Sequence, residues 1–137
     1  MTSIRDPLRA AAAGERGSSP VEFVLVGTLL TLLTLGILQF GLAVYVRNVV
    51  HDAAVEGAHH AALADTSTVD GGERTRDIIT RTIGAEYARD ITVRDRETPG
   101  HAVVEVRVQT TLPLIGLLGV PRALEVTAVA PAESLDG

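Results

Sequence analysis

The sequence predicts an α+β protein, a long N-terminal transmembrane helix extending into a small head of one helix on a three-stranded antiparallel sheet. Three observations predict it. Residues 21–46 form an apolar run in which only Glu22 is charged. Between residues 73 and 89, Ile78, Ile79, Thr82, Ile83, Glu86 and Tyr87 recur at helical spacing. Val104, Val106 and Val108 then alternate with Glu105, Arg107 and Gln109, the period of a half-buried strand.

The apolar run dominates the chain. Its 26 residues reach roughly 39 Å at about 1.5 Å each, more than a hydrocarbon core of about 30 Å requires. A secretory signal has a shorter apolar stretch followed by a small-residue cleavage site, so this run reads as a retained anchor. The remainder is enough for one small domain, and with two Phe, two Tyr and no Trp its core must be built from Ala, Val and Ile. The absence of Cys rules out disulfides and thiolate metal sites.

Charge is unevenly distributed. All 12 basic residues are Arg, and the net charge is −5. Arg5, Arg9 and Arg16 lie ahead of the anchor, a bias that places the N-terminus in the cytoplasm and the C-terminal domain outside the cytoplasmic membrane. The part beyond the anchor is acidic, which argues against nucleic acid as a partner.

In chain order, residues 1–17 read as a disordered cytoplasmic leader. Ser19 is placed as N-cap with Pro20 at the first helical position and Glu22 closing a capping box. A carboxylate one turn inside a membrane helix is also costly unless paired, so Glu22 has a second reading as a partner-binding group. Gly27, Thr34 and Gly41 repeat every seven residues with Thr31 between them, a face of small side chains suited to close helix packing. Gln39 either bonds a neighbour or reaches the interface, and Tyr45 and Arg47 are interfacial anchors on the far side. The helix is expected to continue to Ala64, with Ala54, Ala58, Ala61 and Ala62 as an apolar stripe. Asp52, Glu56, His59 and His60 share this segment, and a solvated polar face explains them better than a metal site, since H-E-x-x-H spacing is missing.

The polar run ending in Gly71-Gly72 reads as a break before the second helix at residues 73–89. Strands follow at 91–97 and 101–112, joined through Pro99-Gly100, and a third at 123–130. The segment 114–121, LIGLLGVP, is an apolar connection or an interaction patch, and the tail after Ala130 is loose. The organisation is thus leader 1–17, transmembrane and projecting helix 18–65, linker 66–72 and extracytoplasmic head 73–137.

Arg16-Gly17-Ser18-Ser19-Pro20-Val21-Glu22-Phe23 before a long apolar helix resembles the processing site of type IV prepilin-like proteins. With Gln39-Phe40-Gly41, Arg47-Asn48-Val49-Val50 and Ala53-Ala54-Val55-Glu56-Gly57-Ala58, the set is similar to the TadE-like minor pseudopilins of tight-adherence (Flp-type) pilus systems. Val55 and His59 stand where the family pattern has Ala and Arg. The resemblance implies cleavage by a prepilin peptidase between Gly17 and Ser18. It also implies that Glu22, fifth in the mature chain, serves subunit assembly. Other pilin or pseudopilin subunits and the membrane are then the partners, and the chain either stays in the membrane or is incorporated into a cell-surface pilus. No cofactor, metal, small-molecule substrate or catalytic group is expected. The rival expectation is an unprocessed, anchored extracytoplasmic binding module.

Overall fold

The computed structural model describes the backbone of residues 7–113 and 119–133, and the side chains of 18–113 and 121–133. The expected apolar connection at 114–118 and the tail from 134 lie outside the described residues. The elements are α1 (Pro7–Ala62), α2 (Thr68–Thr82), a short 3-10 turn (Ala85–Tyr87), β1 (Asp90–Thr98), β2 (His101–Pro113) and β3 (Gly119–Pro131). They form an α+β protein whose sheet has the order β1-β2-β3, antiparallel throughout. Two compact units divide it, Met1–Leu38 and Gln39–Gly137.

In the first unit the described side chains of α1 are bare apolar surface. Phe23 is 80% exposed and Leu25 and Leu29 two-thirds exposed. Such a surface needs lipid or other helices around it. From Ser18 to Ala62, α1 is long and apolar enough to cross a membrane.

The start of this helix differs from expectation. It begins at Pro7, so residues 7–17 are helical and not a disordered leader, and Ser19 is not an N-cap because Pro20 lies inside the helix. The reason is local. Ala10 to Ala13 are the strongest helix formers, Pro7 has the φ suited to a first turn, and an established apolar helix propagates cheaply backwards. Pro20 fits with the loss of one hydrogen bond, since it has no N–H to offer the carbonyl of Arg16.

In the second unit the long helix extends into the head as expected, and its outer part shares one core with α2 and the sheet. Val46, Val50, Ala53, Ala54, Ala58, Ala61 and Ala62 of α1 join Ile79 of α2 and the inward side chains of the sheet in one core. Val104, Val106 and Val108 of β2 face it, as do Leu124, Val126, Ala128 and Ala130 of β3. The predicted alternation thus sets the inward face. On the opposite face, Glu105 is nearly buried between Arg96 (3.0 Å) and Arg107 (3.4 Å).

α2 starts five residues before its expected position, at Thr68, and Gly71-Gly72 is helix and not a break. Ser67 caps the N-terminus, accepting from the Asp70 N–H while the Asp70 carboxylate accepts from the Ser67 N–H at 2.9 Å. Gly71 then meets α1 at a distance that excludes a side chain. A Cβ there would clash with the Ala61 methyl and lie 2.7 Å from the Gly57 carbonyl. The helix stops at Thr82, seven residues short of expectation, because Gly84 takes φ +118 and its N–H turns back to the Ile79 carbonyl. α1 ends at Ala62, where Thr66 donates its hydroxyl to the His60 and Leu63 carbonyls.

The β1–β2 hairpin closes on Pro99-Gly100, with Gly100 at φ +106. β3 begins four residues earlier than expected. Pro121 conceals its start in the sequence, and the pairing slips between Thr110 and Leu112, with Arg122 opposite the slip in the left-handed region at φ 56.

Candidate assembly surface

The residues expected to matter for assembly all lie on α1. Ser18, Glu22, Gly27, Thr31, Thr34 and Gly41 are exposed, while the side-chain surroundings of Gly17 lie outside the described residues. Ser18 and Glu22 are four residues apart on a continuous helix and so share a face. Glu22 has no ion pair among the described residues, the state in which a carboxylate at membrane depth is most costly.

Gly27 has nothing within 4 Å of the position a Cβ would take, and the same holds for Gly41 in the second unit. The hydroxyls of Thr31 and Thr34 are already used. Thr31 donates to the Gly27 carbonyl at 2.8 Å and Thr34 to that of Leu30 at 2.8 Å, as Thr28 does to Val24 at 2.7 Å. Hydroxyls bonded back to their own helix satisfy the demand that hydrocarbon makes on polar groups. These threonines therefore act as small side chains and not as interhelical donors. Gln39 differs, for its Oε1 is enclosed without a hydrogen-bond donor.

The second half of the resemblance also acquires a physical meaning. Ala54 and Ala58 are fully buried, and Glu56 reaches Arg74 of α2 at 3.2 Å. Gly57 faces Gly71 and Thr75, leaving no room for a side chain. Of the two departures from the family pattern, Val55 packs against the core and His59 faces solvent. Sequence reasoning missed Gly71, Thr75 and Arg74 as the other side of this contact. The available signal was Ser67-Thr68-Val69-Asp70, a capping box read as linker.

The electrostatics are quiet. Hydrogen bonds from the Ser67 hydroxyl, and then from its N–H, hold the Asp70 carboxyl below its usual range. Glu56 is committed to Arg74, and among the described residues no three His, Asp or Glu side chains converge on one point. A groove of about 270 Å³ lies between α2 and β1, lined by Val69, Glu73, Arg76, Ile91 and Val93 among others.

Residues 17–59, just under a third of the chain, match the family model of TadE-like proteins. The match covers the anchor and the part of α1 that enters the core. No curated protein and no solved structure matches the chain.

Proposed function

We propose that this protein is a minor pilin or pseudopilin of a tight-adherence type pilus or a related secretion system. A prepilin peptidase cuts it between Gly17 and Ser18. The N-terminus is cytoplasmic and the second unit extracytoplasmic, with α1 in the cytoplasmic membrane until the subunit joins an assembly. The observation that carries this reading is where the TadE-like match begins: at Gly17, the residue before the expected cut, five residues ahead of Glu22, which is exposed and has no ion pair among the described residues. After cleavage, Glu22 neutralises the new amino group of Ser18 on an adjacent subunit, in surroundings where each charge alone is costly. The open faces at Gly27, Thr31, Thr34 and Gly41 let helices approach closely.

A second reading has one observation in its favour. Helix α1 runs unbroken through Gly17 and Ser18, as expected of an anchored binding module that is never cut. The N-terminal residue and mass of the protein isolated from membranes separate the two. A chain starting at Ser18 supports the pseudopilin. A chain starting at Met1 or Thr2 in cells with an active peptidase leaves the binding module. Glu22→Ala is expected to insert normally and to be missing from assembled material, and its normal incorporation would remove the role given to Glu22.

A further inference from the structure

The outward face of the sheet is built around a carboxylate that solvent barely reaches. With Val104, Val106 and Val108 turned to the core, Arg94 and Arg96 of β1, Glu105 and Arg107 of β2 and Glu125 of β3 share the other side. The Glu105 side chain is 7% exposed and is held by Arg96 and Arg107, themselves 60% and 42% exposed, so the guanidiniums lie above it. Arg94 stands directly opposite Glu105 in the ladder, is exposed, and has no ion pair among the described residues. Glu125 accepts from Gln109 at 2.6 Å and lies 3.8 Å from Arg107. A molecule approaching this face therefore meets arginine first, on a chain whose net charge is −5. Guanidiniums already fixed by a carboxylate beneath them lose little freedom when their remaining N–H groups bind a second acid.

The opposite sign collects at one end of the same unit. The Glu133 N–H donates to the Ala62 carbonyl at 2.8 Å, and the Ala132 N–H to the Ala102 carbonyl at 2.9 Å. Gly71 meets Ala61, which brings the start of α2 to the same place. The end of α1, the start of α2, the β1–β2 hairpin and the end of β3 thus form one outer end, the farthest along α1 from the apolar run. Residues 63–73, 97–104 and 129–133 supply it, with five acids, Asp65, Asp70, Glu73, Glu97 and Glu133, and no Arg. All of these carboxylates are exposed and none has an ion pair among the described residues.

We propose that these two surfaces bind each other between copies of the chain, the acidic outer end of one docking on the arginine face of the next. Such a contact joins unlike surfaces. It is heterologous and repeats without closing, as a filament requires and a two-fold dimer does not. β1 sets the offset between the copies. Arg94 and Glu97 are three residues apart along it, so the copy that offers its outer end sits lower by about 10 Å. Chains level with one another in a membrane do not make the contact; chains staggered in an assembly do. The pairs are exposed, so they weaken as salt rises and fix orientation and partner choice more than affinity.

The inference rests on the pseudopilin reading, because it needs copies that assemble with their anchors pointing one way. The Cys-free chain permits a direct test. Full-length chains with Thr127→Cys, exposed opposite Arg107, are co-expressed with differently tagged chains carrying His101→Cys at the outer end. Membranes and material sheared from the cells are oxidised with copper phenanthroline, and the N-terminal residue of each chain is determined. Expected is a mixed 127–101 disulfide in the assembled material. Arg94→Glu in the first chain should abolish it, and Glu97→Arg in the second should restore at least part of it. Disulfides of the 127–127 or 101–101 kind alone overturn the heterologous contact, as does a mixed disulfide indifferent to Arg94→Glu. Chains that start at Ser18 and assemble without the mixed disulfide overturn the inference and leave the pseudopilin reading standing. Chains that keep Met1 or Thr2 in cells with an active peptidase, and give no mixed disulfide, overturn both.

Discussion

Two residues near the ends of the expected leader and linker carry more information than their neighbours. Pro20 is the first. A peptide bond inside a hydrogen-bonded helix must unwind before it is cut, and Pro costs about 3 kcal/mol relative to Ala in a helix interior. By weakening α1 next to Gly17 and Ser18, Pro20 lowers the cost of opening that bond. Pro20→Ala is therefore expected to slow processing, read as the fraction of chains starting at Ser18 after a fixed time. Equal rates would reduce Pro20 to a tolerated irregularity. Asp70 is the second. Its carboxyl is held low by Ser67, so its contribution to stability is complete above the unfolded value near 3.9 and is lost as pH falls through the folded one. Asp70→Asn should thus lower the melting temperature at neutral pH, and the gap from the parent protein should narrow in acid. A gap independent of pH would show that the charge itself is irrelevant.

Helix α2 shows how an element hides from its sequence. Gly71-Gly72 is read as a break because two adjacent glycines cost roughly 2 kcal/mol in a helix, yet the helix passes through both. The two have different jobs. Gly71 lies against Ala61 and Gly57, where a side chain does not fit, whereas a Cβ on Gly72 meets only Val93 Cγ2 at 3.4 Å. Gly71→Ala is expected to destabilise the fold by about 1–3 kcal/mol through overpacking. Gly72→Ala should gain up to about 1 kcal/mol from helix propensity. Opposite shifts in melting temperature for neighbouring identical substitutions would confirm the close α1–α2 approach, and two gains would refute it. The strands were legible because one face of the sheet is buried, so Val104, Val106, Val108 and Leu124, Val126, Ala128 alternate visibly. The start of β3 was not, since Pro121 and a left-handed Arg122 mark a bulge that propensity reads as coil. Nor does a pattern within one element reveal that Gly57 and Gly71, fourteen residues apart, face each other.

At the scale of the molecule, the apolar run has two functions divided along its length. The described side chains of its first part are exposed, whereas from Gln39 onward one side of the same helix belongs to the core. Hydropathy cannot distinguish these, because lipid and protein interior ask for the same side chains. Exposure can. The end of the run is accordingly a structural part of the head, and a head fragment cut at the hydropathy boundary will be incomplete. Fragment 47–137 lacks Val46, which is 2% exposed, and with it Ala43 and Gln39. Burying one such Val contributes about 1.5–3 kcal/mol. In the same mild detergent, fragment 39–137 should therefore unfold at a higher denaturant concentration than 47–137, followed by the far-ultraviolet dichroism of its helices because the chain has no Trp. Coincident midpoints would mean that the head ends where the hydropathy does, and the stripe from Gln39 to Val46 would then be contact without consequence for folding.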